Sequence, residues 1–186
     1  MSTQIEPLVT IDDLDAMPDD GNRYEVIEGE LIVSRAANLI HQSVSRNLIV
    51  DIENYLLQNP IGAVWATPGV IFSEFSGVIP DLVFVSNERR GEIASEERIT
   101  GAPDLVVEIV SPGAENERRD RITKRQLYGK YGVKEYWVVD PYQRTIEIYL
   151  LQGQTLNLKA TYAEHDELTS SVLAGFTCQV SNILRF

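Results

Sequence analysis

The residue whose chemistry most constrains this sequence is Glu108, which interrupts an apolar segment running from Asp104 to Val110. Apolar residues on both alternating sides are typical of a central strand that is covered on each face. Leaving even a neutral polar group unpaired in such a place costs about 2–7 kcal/mol. Glu108 must therefore be protonated, hydrogen-bonded or bound to a cation.

Two Pro-Asp pairs stand at the entrances of strand-like segments, and geometry separates their roles. Asp104 and Glu108 share one strand, so their side chains lie about 13 Å apart at ~3.3 Å per residue. Oxygen ligands lie about 2.0–2.6 Å from a divalent cation, so this pair cannot chelate one ion. Asp81 begins a different strand and could lie beside Glu108 at the interstrand spacing of ~4.8 Å, although the sequence leaves the register open. We interpret Asp104 as a residue of the strand entrance.

A basic side chain, Lys124, lies on a helix predicted over 116–131. On a helical wheel it shares a stripe with Leu127 and Tyr128, so it points toward the sheet. One interpretation is a lysine that extends to solvent or pairs with Asp120, four residues earlier. The other is a lysine that orients and polarises an attacking water beside a metal-bound carboxylate pair. The sequence leaves both open.

Two further residues are possible members of the same site. Glu25 lies on a predicted hairpin strand, where it faces either the cleft or, by alternation, solvent. His41 stands near the start of the first long helix, a place typical of a capping or surface histidine but open to a catalytic or phosphate-contacting role. We expect His165, within an acidic run, to lie at the surface, and Trp137 to lie in the core.

The elements that must position these residues follow from periodicity. Two short strands around Glu28-Gly29 predict an N-terminal hairpin. Helical spacing predicts a long amphipathic helix over 39–57. Further strands are expected at 63–67, 70–73, 80–85, 104–110 and 135–139, a hairpin over 145–162, and a last strand and turn over 176–186. The order predicts an α/β fold around a central sheet, in one domain of residues 1–186 with an N-terminal extension at 1–20.

Composition limits the classes of protein to which the chain could belong. The net charge is −12, although the segment from Glu115 to Lys134 carries seven basic and three acidic residues. The net negative charge disfavours nonspecific binding to nucleic acid, because such binding requires Lys and Arg side chains that neutralise phosphates. No apolar run approaches the ~20 residues that span a bilayer, so we expect no membrane partner. The single cysteine, Cys178, excludes an internal disulfide and fits a reducing cytoplasm.

Taken together, Pro80-Asp81, Glu108 and Lys124 resemble the signature of the PD-(D/E)xK nuclease superfamily. The wider sequence is similar to the Uma-type restriction endonuclease family from about residue 24 to the end. The resemblance is carried by Tyr24–Glu30, His41-Gln42, and the runs 102–113, 120–128 and 132–141. One departure is that the lysine expected two residues after Glu108 is replaced by Val110, so Lys124 must serve from the helix.

The resemblance implies a restriction-endonuclease-like core, with a central mixed β-sheet flanked by helices. It also implies Mg²⁺ or Mn²⁺ held by Asp81, Glu108 and the backbone carbonyl of Ile109, with Lys124 assisting the water. The expected reaction is hydrolysis of DNA phosphodiester bonds, by a homodimer because a duplex requires two cuts. A second hypothesis is an interaction module of the same fold with little or no catalysis, which the net charge of −12 favours.

Overall fold

A computed structural model describes residues 8–186 of the chain. Its strands in chain order are β1 (Arg23–Ile27), β2 (Glu30–Ser34), β3 (Gly62–Ala66), β4 (Val70–Ser73), β5 (Ser76–Val78), β6 (Leu82–Ser86), β7 (Ile99–Thr100), β8 (Leu105–Ile109), β9 (Glu135–Asp140), β10 (Thr145–Gln152), β11 (Thr155–Ala163), β12 (Glu167–Thr169) and β13 (Thr177–Gln179). The helices are α1 (Ile11–Asp15), α2 (Leu39–Gln58), α3 (Asn87–Ile93), α4 (Ala114–Arg118), α5 (Arg125–Tyr131) and α6 (Val180–Ile183). A π-helical turn, Arg119–Lys124, joins α4 to α5.

The central sheet has six strands in the order β11-β10-β9-β8-β6-β3. Strands β8 and β9 run parallel, whereas the other neighbours are antiparallel. A second sheet has the order β2-β1-β5-β4-β7, and β12 pairs with β13. The α/β fold with a central mixed sheet, flanking helices and an N-terminal hairpin is therefore confirmed.

Apolar residues cover both faces of the central sheet. On one face Val107 and Trp137 pack with Leu48 and Ile52 of α2. On the other face the neighbouring residues Val106 and Val138 pack with residues of α5 and of the second sheet, including Leu127, Tyr128, Val70 and Val78. Strand β8 is buried along its whole length, as expected for a central strand covered on both sides.

The turn between β1 and β2 follows the sequence prediction. Glu28 and Gly29 both adopt positive φ, 53° and 84°, which is the conformation of a tight two-residue hairpin turn. The preceding segment joins this hairpin, because the Val9 N–H donates to Gly29 O and the Ile11 N–H donates to Glu74 O. The first seven residues of the predicted extension lie outside the described part of the chain.

Several element boundaries differ from the sequence predictions. The helix expected at Asn116 begins at Ala114 and contains the π-helical turn. Pro80 and Asp81 precede β6, which begins at Leu82. Strand β5 was not predicted, because Ser76-Gly77-Val78 is too short and too small to show alternation. The last segment forms β13 followed by α6 rather than a strand and a turn.

Within residues 8–186, no helix combines the length and the apolar character required to cross a lipid bilayer.

Candidate active site

The register of β6 against β8 brings the two predicted carboxylates together. Leu82 pairs with Val107 and Val83 with Val106, so Asp81 lies opposite Glu108 at the end of the antiparallel pair. The Ile109 N–H donates to Asp81 Oδ2 at 2.8 Å, which joins the Asp81 side chain directly to β8. Both carboxylates are 4 % exposed. The register thus supplies the proximity that the sequence left open.

Glu108 lies on the face of β8 that packs against α5. Two donors meet at its Oε1 atom: Lys124 Nζ at 3.0 Å and the hydroxyl of Tyr128 at 2.5 Å. Within residues 8–186, its Oε2 atom has no hydrogen-bonding partner. One oxygen of Glu108 is therefore held by the protein, and the other is available to a ligand.

Lys124 is buried, 3 % exposed, at the end of the π-helical turn. Its Nζ atom lies 3.0 Å from Glu108 Oε1 and 3.0 Å from Glu25 Oε1. The interpretation as a lysine extended to solvent is wrong, and its ion-pair partners are these two glutamates rather than Asp120. Tyr128 is fully buried against Tyr136, and its hydroxyl donates to Glu108.

Burial and charge set the protonation of this group. Burial raises the pKa of Glu108 to about 8; the Lys124 charge opposes the shift, and nearby Asp81, Asp120 and Glu25 add to it. Burial would lower the pKa of Lys124, but Glu108, Glu25 and Asp120 hold it above its ordinary value. Lys124 is therefore an ammonium ion, while Glu108 titrates near physiological pH.

Asp81 is held by His41. The His41 Nε2 atom lies 2.9 Å from Asp81 Oδ2, and His41 is 6 % exposed, so the expectation of a surface or capping histidine is wrong. The capping residue of α2 is Asn38, whose Oδ1 accepts from the His41 N–H. Burial would raise the pKa of Asp81, but the contacts with His41 and Ile109 hold it below its ordinary value. Asp81 is thus an anion at neutral pH.

Glu25 faces inward, so the alternative of a solvent-facing position is wrong. It is 3 % exposed, and its Oε1 atom accepts from the Ile79 N–H at 2.8 Å and forms an ion pair with Lys124. This glutamate therefore links the N-terminal hairpin to the lysine. Asp104 lies elsewhere and binds the Ser86 N–H, Arg89 and Lys134, which fits a residue of the strand entrance.

Two residues that sequence reasoning did not assign to the site also face it. Asp120 is 3 % exposed in the π-helical turn, and burial raises its pKa. Arg119 lies 3.6 Å from it, measured from Nε to Asp120 Oδ1. The shared helical stripe of Asp120 and Lys124 was the available signal for Asp120. The sequence carries no comparable signal for Arg119.

These residues line one cleft of about 350 Å³. It is bounded by β1, the segment between β2 and α2, the end of β8 and the π-helical turn, and its ionisable walls include Glu25, His41, Asp81, Glu108, Asp120 and Lys124. Ile109, the remaining predicted ligand, lies on the same wall. His165 is exposed and Trp137 is fully buried, as the sequence predicts.

The donor set of the cleft suits an oxygen-ligated divalent cation. Mg²⁺ is usually bound by one or two carboxylates together with waters and substrate phosphates. Asp81 and Glu108 provide such a pair, and Glu108 Oε2 is free of other partners within residues 8–186. No group of three or more His, Cys, Asp or Glu residues in that range is arranged to hold a metal. The site therefore fits a cation that takes part of its coordination from water or substrate.

One comparison with a solved structure agrees with this architecture. A structure described as "a putative nuclease belonging to DUF820", from Anabaena variabilis ATCC 29413, superposes with a TM-score of 0.73 at 19 % identity. That alignment covers 95 % of this chain and 97 % of the other. The type IIG restriction endonuclease BpuSI aligns over 75 % of this chain and 15 % of its own, with a TM-score of 0.43 and 11 % identity.

Sequence comparison gives the family directly. No curated protein matches the chain. The profile of the Uma2 family, described as "Putative restriction endonuclease", matches residues 11–181. This range contains every residue of the cleft described above. The chain belongs to the Uma2 family.

Proposed function

We propose that the protein is a metal-dependent endonuclease that hydrolyses phosphodiester bonds of DNA. The observation that carries the proposal is the meeting of Asp81 and Glu108, from adjacent strands, in an open cleft beside the ammonium group of Lys124. A carboxyl group with a strongly shifted pKa in such a cleft is typical of functional sites. Membership of the Uma2 family supports the same reaction class.

Mg²⁺ or Mn²⁺ would be held by Asp81 and Glu108, with the Ile109 carbonyl as a further ligand. When bound, the cation supplies positive charge that stabilises the leaving oxygen and the developing charge on the phosphate. His41 and the Ile109 N–H hold the Asp81 carboxylate in place. His41 therefore acts as a positioning residue.

Lys124 would orient the attacking water by donating a hydrogen bond. Its raised pKa keeps it protonated, so it cannot act as a general base. As the new bond to phosphorus forms and the bond to the 3′ oxygen breaks, the proton lost by the attacking water must pass to another cleft water or to a phosphate oxygen, and the leaving 3′ oxygen must take up a proton from a cleft water. The products would carry a 5′-phosphate and a 3′-hydroxyl. Glu25 holds Lys124 from the side opposite Glu108.

The test uses near-isosteric variants and plasmid DNA in Mg²⁺ or Mn²⁺. We expect Asp81→Asn and Glu108→Gln each to lower the cleavage rate by on the order of 10²–10³-fold. Asp104→Asn is the matched control, because Asp104 directly precedes β8, the strand that contains Glu108, but lies outside the cleft. Undiminished cleavage by either site variant would remove the assignment.

The second candidate is an interaction module of this fold without catalysis, which the net charge of −12 favours. Titration calorimetry with Mn²⁺ separates the two. Binding to the wild type that is lost in Glu108→Gln supports the enzyme, whereas absence of binding supports the module.

Two further properties belong to the same proposal. Cutting both strands of a duplex requires two active sites, so we expect a homodimer. The single cysteine, Cys178, fits a reducing cytoplasm.

A further inference from the structure

Most basic residues of the segment 115–134 already contact other groups of the protein and are not available to phosphates. Arg121 forms ion pairs with Asp140 and Glu147, and Lys130 pairs with Glu28. Lys134 pairs with Asp104, Lys124 is buried in the cleft, and Arg125 lies over the ring of Tyr149. Most of the positive charge in this segment is therefore used within the fold.

Four arginines line clefts at the candidate site, and only one of them, Arg119, belongs to the segment 115–134. Arg35 and Arg119 line the cleft already described. Arg23 and Arg46 line a second cleft, of about 380 Å³. Within residues 8–186, neither Arg35 nor Arg46 forms an ion pair. Arg23 approaches Asp81 only at 3.6 Å. In an acidic protein, this places guanidinium groups in both of the clefts that Asp81 lines.

The two clefts share a wall. Ala36, Ala37, His41 and Asp81 line both of them. The shared boundary therefore combines two small side chains with the two ionisable residues His41 and Asp81. A chain-like ligand that passes over this boundary would place one of its groups at Asp81 and its neighbours in the two clefts.

Arg119 is the member of this set that has a buried donor without a hydrogen-bond partner among residues 8–186. Its Nε atom is buried and forms no hydrogen bond within the described residues, since Asp120 Oδ1 lies 3.6 Å away. A buried donor without a partner carries a free-energy cost of about 1–3 kcal/mol. A phosphate oxygen in the cleft would satisfy it, because guanidinium groups bind phosphates through paired N–H donors.

We propose that the two clefts form one track for a single DNA strand, with the reacting phosphate at Asp81 and Glu108. Arg119 and Arg35 bind phosphates on one side of that position, and Arg46 and Arg23 bind phosphates on the other. The inference rests on the proposed nuclease function but concerns strand binding alone. It also explains how a protein of net charge −12 binds DNA: the cations lie where the strand must pass, not over the whole surface.

The experiment measures binding of a fluorescently labelled single-stranded 12-mer in EDTA, across a series of salt concentrations. We expect Arg119→Ala, Arg35→Ala and Arg46→Ala each to weaken binding roughly tenfold at low salt. Each should also reduce the slope of log K against log salt by about 0.7, the value for one lost phosphate contact on a single strand. Arg119→Lys should keep the slope but lose affinity, because the charge remains and the Nε donor is gone.

Arg90→Ala is the matched control, because Arg90 is exposed, lines neither cleft and has no ion pair within residues 8–186. It should leave both affinity and slope unchanged. Arg35 and Arg46 are exposed, so their variants test the track even if Arg119→Ala fails to fold. Unchanged slopes in Arg35→Ala and Arg46→Ala, or an equal loss in Arg90→Ala, would overturn the track.

The binding measurement is independent of the proposed function. Cleavage that depends on Asp81 and Glu108, combined with arginine-independent binding, would reject the track and leave the nuclease. Arginine-dependent binding without any cleavage would reject the nuclease and leave the track.

Discussion

Strand β8 has a buried carboxylate near each end, and the donors are distributed differently over the oxygens of the two carboxylates. Asp104, just before the strand, has donors on both oxygens: the Ser86 N–H on Oδ2, and Arg89 and Lys134 on Oδ1. Glu108, near the other end, has both of its donors on a single oxygen. Asp104 is 1 % exposed and Glu108 is 4 % exposed, so burial alone does not distinguish them.

The pKa shifts of Asp104 and Glu108 differ because their hydrogen-bond donors differ. For Asp104, burial acts upward, but hydrogen bonds from Lys134, Ser86 and Arg89 hold the pKa below its ordinary value. For Glu108, burial dominates and raises the pKa to about 8. Buried polar groups are normally hydrogen-bonded. The free Oε2 atom of Glu108 supports its proposed role as a ligand of a cation, whereas donors on both oxygens of Asp104 fit a structural residue.

The largest expected effect comes from replacing, in two separate variants, the lysine that contacts the carboxylate at each end of β8. Lys124→Met leaves Glu25 and Glu108 buried without a cation, so we expect a loss of about 3–5 kcal/mol in the free energy of unfolding. Lys134→Met removes a lysine whose side chain is 57 % exposed, and Arg89 remains beside Asp104. We expect it to cost at most about 1 kcal/mol. Urea denaturation measures both, and equal losses would contradict the difference between the two ends.

An effect that is smaller per pH unit is expected from titration of the two carboxyl groups, and it has opposite signs for Glu108 and Asp104. The folded-state pKa of Glu108, about 8, lies above the unfolded value, so the folded protein binds the extra proton between these values. Stability therefore falls as pH rises through that window, by at most about 1.4 kcal/mol per pH unit. Glu108→Gln removes this term, so the variant should gain stability relative to the wild type from pH ~5 to pH ~8.

The effect of pH at Asp104 has the opposite sign. The folded-state pKa of the Asp104 carboxyl group is lowered, so the stabilisation from this group is present above its unfolded pKa and is lost as pH falls through its folded pKa. Asp104→Asn should therefore be least stable relative to the wild type at neutral pH, and the difference should shrink below pH ~4. Thermal unfolding across pH measures both variants. The same pH trend in the two would refute the assignment of opposite shifts.

Local periodicity explains what the sequence could predict of this site. Alternation along β8 and helical spacing around Lys124 are properties of short segments, so they located Glu108 and the inward lysine correctly. The Pro-Asp pair marked the start of β6, and only the interstrand register was needed to bring Asp81 to Glu108.

Other features of the site could not be predicted from the sequence, because they depend on contacts between distant segments. His41 reaches Asp81 across 40 positions of sequence, and Glu25 reaches Lys124 from the N-terminal hairpin. The π-helical turn that presents Arg119 and Asp120 to the cleft has no signature in residue spacing. Such pairings depend on how the two sheets and α2 pack, which periodicity within one element does not determine.

The smallest expected effect comes from two variants that each remove one hydrogen-bond donor, from Glu108 and from Asp104 respectively. Tyr128→Phe deletes the hydroxyl at Glu108 Oε1 and leaves Lys124 as its remaining side-chain donor, so we expect a loss of about 1 kcal/mol in the free energy of unfolding. Arg89→Met removes a half-exposed donor from Asp104, which keeps Ser86 and Lys134, and should cost about 0.5 kcal/mol. Urea denaturation of the two variants under identical conditions compares the ends directly. A larger loss for Arg89→Met would mean that Asp104, not Glu108, is the carboxylate that depends on each individual donor.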